Sequence, residues 1–263
     1  MNVKSFPAEI TSYDLLKTFA VLTMIIDHIG LYFFPDEMWW RTIGRLSFPV
    51  WLFLIGYANS REISPFLIGG AAIVFASNIL AGMGVFPFSI LVSIIVVRLT
   101  LDPIMNLLSK SALHLWVGSG VLFIIALPSF ILFEFGAQAF IFAIFGYLAR
   151  RQQSEKDRAQ VFRYAVFVAM GYIFLQSFGY ALFGLKFVVL TAGVAAVTLA
   201  LYKFAPKTYP ELTQKIPPAG KALVQVCGRH TLKIYVVHLL IFKTIAVLSG
   251  ASGYVFMNWS WVW

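Results

Sequence analysis

Residues 15–30 read L-L-K-T-F-A-V-L-T-M-I-I-D-H-I-G. The stretch is apolar enough to enter a bilayer, yet it holds Lys17, Asp27 and His28. Ionisable groups at membrane depth are costly and normally face a bundle interior or a cavity. The segment therefore reads as a spanning helix with a polar task. The chain around it fits that reading. Of its 263 residues, 60% are hydrophobic and only 12% charged, against about 25% charged in a typical soluble domain. A span consumes about 20 apolar residues, which leaves no room for a sizeable soluble domain, so residues 1–263 read as one transmembrane domain. A net charge of +9 would point a soluble protein towards nucleic acid. Here the basic residues fall between apolar runs and suit anionic lipid headgroups, so membrane lipid is the expected neighbour and nucleic acid is not. The single Cys227 excludes an internal disulfide and a Cys-cluster metal site. The first apolar run lacks an A-x-A cleavage pattern and reads as a retained span.

The expected fold class is all-α: a polytopic integral membrane bundle of about nine spans, with eight to ten allowed. The spans fall near 14–34, 41–59, 65–82, 88–107, 112–128, 130–149, 161–180, 184–204 and 229–248. Arg98 and Asp102 interrupt the fourth, which allows a short helix followed by an interfacial one. The basic stretch from Arg150 to Arg158, the Lys203–Arg229 region, Arg61 and Lys110 all fall on one side if spans alternate. The positive-inside rule makes that side the cytoplasm and puts the N-terminus there. Trp259, Trp261 and Trp263 then form an aromatic anchor on the outer side.

Helical phase sorts the polar residues of the first span. Lys17 and His28 are eleven positions apart, about three turns, and share a face with Asp14 and Met24 beside them. Asp27 lies about 100° away and points towards a neighbouring helix. The next segment, W-W-R-T-I-G-R-L-S-F-P-V-W-L-F-L-I-G-Y, residues 39–57, puts Arg41 and Arg45 on one face. An Asp27–Arg45 pair is the simplest way to bury both charges, and Pro49 should loosen the helix nearby. The last span, G-R-H-T-L-K-I-Y-V-V-H-L, residues 228–239, carries Thr231, Tyr235 and His238 as one stripe. If the first and last helices meet, Asp27, His28 and His238 form one buried site. The plainer reading is a snorkelling Lys17, an isolated ion pair and histidines bonded to backbone. Asn78, Glu134, Gln138 and Gln176 read as interhelical hydrogen bonds. No H-E-x-x-H, G-x-S-x-G, Walker loop or Rossmann fingerprint is present, and no residues show metal-ligand spacing.

The segments 12–30, 39–57 and 228–239 resemble the TraX family, named for the pilin acetylase of conjugative F-type pili. That family is similar to a wider group of membrane acyltransferases, among them the O-antigen acetylases and heparan-alpha-glucosaminide N-acetyltransferase. In the O-antigen type a basic residue and a His are separated by ten residues in the first span, a spacing that Lys17 and His28 share. A Tyr-x-x-His pattern ends that group, as Tyr235 and His238 do here. The resemblance implies acetyl transfer from acetyl-CoA as co-substrate, with no permanently bound cofactor, in a bacterial inner membrane. His28 is then the expected general base, with Asp27 and His238 as its catalytic companions. Arg45, Arg41 and Tyr235 are candidates for the substrate oxyanion. Lys17, Arg61, Arg98, Arg229 and Lys233 are candidates for the CoA phosphates. The acceptor is a protein such as pilin, through its N-terminal amine, or a glycan, and a homo-oligomer is allowed. Two rival readings are a proton-coupled transporter with an intramembrane Asp/His relay, and a non-catalytic pilus assembly factor.

Overall fold

The structure, a computed structural model, describes residues 7–262; Trp263 of the expected anchor lies outside them. The described residues form an all-helical bundle. The helices are α1 Ser12–Phe33, α2 Met38–Gly44, α3 Ser47–Tyr57, α4 Pro65–Leu80, α5 Ile90–Leu108 and α6 Ala112–Ser129, followed by α7 Gln138–Arg151, α8 Glu155–Gly179, α9 Leu185–Tyr202, α10 Pro210–Lys215, α11 Pro218–Arg229 and α12 Thr231–Leu248. Six of them (α1, α5, α6, α8, α9 and α12) are long and apolar enough to cross a membrane, and α4 is a shorter apolar helix. The protein is a multi-pass membrane protein of the expected helical class.

α1 is the hub and packs against α2, α3, α11 and α12. Its start is fixed by a capping box: Thr11 Oγ1 accepts from the Asp14 N–H at 3.1 Å, and Asp14 Oδ2 accepts from the Thr11 N–H at 3.0 Å. Thr18 Oγ1 donates to the Val224 carbonyl at 3.0 Å and so ties α1 to the amphipathic α11. Neither α10 nor α11 is expected from the hydropathy, which leaves the basic region before the last span as a loop.

Two of the nine expected segments are built differently. The second is split at Arg45 and Leu46 into α2 and α3. Pro49 explains the split. It sits in the first turn of α3, where its lacking N–H is tolerated, but the Arg45 carbonyl four residues earlier then has no helical donor. The Tyr172 hydroxyl supplies one at 2.6 Å. The sixth segment begins at 138 rather than 130. Residues 130–137 turn instead, with Gly136 at φ +52°, and a Cβ there would lie 2.4 Å from Ser129 Oγ. The fourth segment is one helix, α5, which runs on through Pro103.

At the end of the bundle away from Lys17, three non-helical stretches are knitted together. Phe88 N–H donates to Leu132 O at 2.8 Å and Glu134 N–H to Phe88 O at 3.0 Å, while Val85 and Phe86 donate to Ser260 O and Trp261 O at 2.9 and 3.0 Å. Irregular backbone against a membrane bundle is tolerated where its polar groups are satisfied by protein, as these are.

Candidate functional site

The first and last long helices do meet. His28 on α1 and His238 on α12 are 210 residues apart in the chain, and their rings bond through His28 Nδ1 and His238 Nε2 at 2.7 Å. The ring centroids are 4.9 Å apart and both residues are buried. His238 Nδ1 lies 2.7 Å from the Ile234 carbonyl, one turn back on α12. A carbonyl only accepts, so His238 Nδ1 carries the proton. In the neutral pair His238 Nε2 must then accept, and His28 Nδ1 must donate. The remaining nitrogen, His28 Nε2, is left with its lone pair, and no hydrogen bond engages it among the described residues. A base oriented by one partner on its far nitrogen is the arrangement that triads use.

Asp27 has a different set of neighbours. Its Oδ2 accepts from Arg41 Nη1 at 2.8 Å, and its Oδ1 lies 3.5 Å from Arg45 Nε, an ion contact without hydrogen-bond geometry. The expected Arg45 pair is there, but Arg41 is the nearer partner. Both guanidiniums donate to the Tyr180 hydroxyl, and both lie over the Tyr180 ring, at 5.1 and 4.7 Å from its centroid. The α2 helix reaches α1 closely enough for this because residue 44 is glycine: a Cβ at Gly44 would stand 2.3 Å from Asp27 Cβ. Asp27 makes no bond to either histidine. It is an anchor for two arginines rather than an orienter of His28.

A cavity of about 500 Å³ opens beside His28. Its α1 wall is Tyr13, Lys17, Met24, Asp27 and His28. Lys17, Met24 and His28 share it as helical phase assigns, whereas Asp14 does not line it and Asp27 touches it at the His28 end. Ser47, Trp51, Leu54 and Ile55 form the α3 wall, and Ile90, Ile94 and Arg98 the α5 wall. Thr231 and Tyr235 enter from α12. Lys17 and His28 mark its length, about 16 Å of helix at 1.5 Å per residue. Lys17, Arg98, Glu62 and Thr231 surround one end. His28, Asp27, Ser47, Glu134, Phe135 and Tyr235 surround the other. The walls between are apolar, so a long ligand with an anionic head fits its charge pattern.

Of the candidate phosphate ligands, Lys17 and Arg98 line this cavity, and Arg98 Nη1 also donates to Glu62 O at 2.5 Å. The other three do not line it. Arg61 caps the end of α3, donating to Ile55 O and Ala58 O at 2.7 Å, and pairs with Asp102 at 3.2 Å. Arg229 is bound to Asp14 at 3.3 Å and to Pro7 O at 2.8 Å. Lys233 is exposed on α12. Carboxylates, with carbonyls at the end of α3 and before α1, hold the first two charges, which a count of basic residues does not reveal. Among the oxyanion candidates Tyr235 lines the cavity; Arg41 and Arg45 do not. Among the described residues no three His, Cys, Asp or Glu side chains group as metal ligands.

The sequence reading passes over Lys243. It is buried on α12, and its Nζ donates to Ser77 Oγ at 2.6 Å, Asn78 Oδ1 at 2.5 Å and Val74 O at 3.3 Å. A lone Lys in an apolar run was the signal available. Asn78 thus makes an interhelical bond, as do Gln138 and Gln176, at 3.4 Å. Glu134 precedes α7 instead of lying in it, and it faces the cavity.

Comparison with known proteins agrees with these motifs. The family model described as TraX protein matches residues 12–246, from the start of α1 to near the end of α12. An uncharacterized protein of Rickettsia prowazekii (strain Madrid E) is 30% identical over 146 residues, which is 55% of this chain and 58% of that protein. The chain therefore matches less than two thirds of that relative's length. No solved structure matches. With nine-tenths of its length inside the family model, the chain belongs to the TraX family.

Proposed function

We propose that this protein transfers an acetyl group from acetyl-CoA to an acceptor amine or hydroxyl in or across the membrane. The observation that carries the reading is the His28–His238 bond of 2.7 Å, which holds His28 at one end of the cavity with Nε2 unengaged. Lys17 and Arg98 at the other end offer cationic donors to the nucleotide phosphates, and the pantetheine arm lies along the apolar walls by Met24, Trp51 and Ile94. By the positive-inside rule this mouth faces the cytoplasm of a bacterial inner membrane, where acetyl-CoA is available.

The chemistry then runs as a direct displacement. The acceptor attacks the thioester carbonyl while His28 Nε2 takes its proton. A neutral imidazole with a free lone pair can take that proton and hand it on. His238 accepts from His28 Nδ1 throughout and keeps the ring in the working tautomer. The Tyr235 hydroxyl donates to the oxyanion of the tetrahedral intermediate. Collapse expels the CoA thiolate, which recovers the proton from His28. Arg41 and Arg45, being committed to Asp27, leave the oxyanion to Tyr235.

The test uses purified protein and radiolabelled acetyl-CoA. Saturable thermal stabilisation by acetyl-CoA, absent with unrelated nucleotides, is expected, together with labelled product. His28→Ala should lower transfer by about 100-fold or more with membrane insertion intact. Full activity in that variant removes His28 from the reaction. Absence of both stabilisation and product in the native protein rejects the enzyme and leaves a transporter or an assembly factor.

A further inference from the structure

Glu134 is a carboxylate that the mechanism above does not use. It lies at the His28 end of the cavity with Tyr235 and Ser47. Its backbone is pinned by the bond from its N–H to Phe88 O at 3.0 Å, and its Oε2 accepts from the Ile90 N–H at 3.3 Å. The other oxygen, Oε1, makes no hydrogen bond among the described residues. Two guanidiniums share the one Asp27 carboxylate, so one positive charge is left over and attracts Glu134 from a distance. Glu134 itself forms no ion pair within 4 Å among the described residues. A carboxylate that lines a cavity of a membrane bundle with one oxygen unbonded is placed to hold a ligand. A backbone cap alone would not need a carboxylate, since a neutral Gln would accept from Ile90 as well.

We propose that Glu134 is the acceptor-binding carboxylate of the cavity, holding the reacting group of the acceptor through Oε1 while His28 takes its proton. This rests on the acetyl-transfer reading. The proton balance says which acceptor suits it. A hydroxyl has one proton, and one acceptor, His28, suffices for it. An amine arrives as an ammonium and must lose two protons to become an amide. Beside Asp27, which lies in ion contact with both arginines, the cavity end offers two acceptors, Glu134 Oε1 and His28 Nε2. The ammonium docks on Glu134 and gives it one proton. The free amine, still bonded to Glu134, attacks the thioester carbonyl and forms the C–N bond. His28 takes the second proton and passes it to the departing thiolate as the C–S bond breaks. Glu134 returns its proton to water. The sum is ammonium plus thioester giving amide, free thiol and one proton.

The experiment supplies n-octylamine or n-octanol as acceptor to detergent-purified protein with radiolabelled acetyl-CoA. The native protein should acetylate octylamine in preference to octanol. Glu134→Gln, which keeps the Ile90 bond, should raise KM for octylamine by about 10- to 100-fold, the loss of one charged hydrogen bond. Its KM for acetyl-CoA and its stabilisation by acetyl-CoA should not change, whereas a merely structural role would move both. Equal octylamine kinetics in Glu134→Gln overturn the assignment, and preference for octanol overturns the amine. A native protein that binds acetyl-CoA yet acetylates neither probe also overturns the subsite. A native protein that neither binds acetyl-CoA nor yields product fails at the earlier step, and the two failures are thereby distinguished.

Discussion

Replacing Asp27 with Asn removes the negative charge that two buried arginines share. Asn still accepts from Arg41 through its side-chain oxygen, so the change isolates charge from hydrogen bonding. The carboxylate stands 2.8 Å from Arg41 and 3.5 Å from Arg45, with all three side chains at most 10% exposed. At an effective dielectric of about 20, each ion pair is worth about 5–6 kcal/mol of gross attraction. Desolvation offsets much of that, and breaking a buried pair from one side costs about 3–5 kcal/mol net. For a domain of this size that corresponds to a fall in Tm of about 6–20 °C. Thermal unfolding of the detergent-solubilised variant reads it directly. A second variant checks the cause: Asp27→Asn with Arg41→Gln has one excess positive charge rather than two and should regain part of the stability. An Asp27→Asn protein with native Tm and no acetyl transfer would refute the assignment and return the carboxylate to the chemistry.

The remaining predictions concern the same region. Gly44→Ala should destabilise by about 1–3 kcal/mol, because its Cβ must displace Asp27; a native Tm would show that α2 can slide away. Tyr172→Phe leaves the Arg45 carbonyl freed by Pro49 without its donor and should cost about 1–3 kcal/mol in denaturant unfolding, whereas no change would mean another donor replaces it. Lys243→Met removes a buried ammonium that only neutral oxygens hold. It should leave Tm unchanged or raise it, and a large drop would show that the Ser77 and Asn78 bonds hold α4 to α12.

Much of the site was written in periodicity. The eleven-residue spacing places Lys17 and His28 on one wall of the cavity, and the 100° offset sends Asp27 to the arginines. Proximity in sequence made that pairing legible, since only a short loop joins α1 to α2. The His28–His238 bond was legible only as a condition, because hydropathy does not say which helices touch. Charge was a poorer guide. Arg61 and Arg229 look like phosphate ligands until the carbonyls at the end of α3 and before α1 are seen to hold them. Hydropathy also could not separate helix from turn in residues 130–137, which are as apolar as a span. That error hid Glu134, read as a helical residue when it stands at the cavity end.

The 210 residues between His28 and His238 also set a clock. At a synthesis rate of about 5–20 residues per second, α12 follows α1 by about 10–40 s. For that interval His28 sits in the bilayer without its partner. Arg41 and Arg45, only 14 and 18 positions after Asp27, emerge almost at once. Their ion pair can therefore fix the rotation of α1 early, so that the unpaired imidazole already faces inward when the final helix enters. Chains released before α12 would carry His28 without the ring that bonds it.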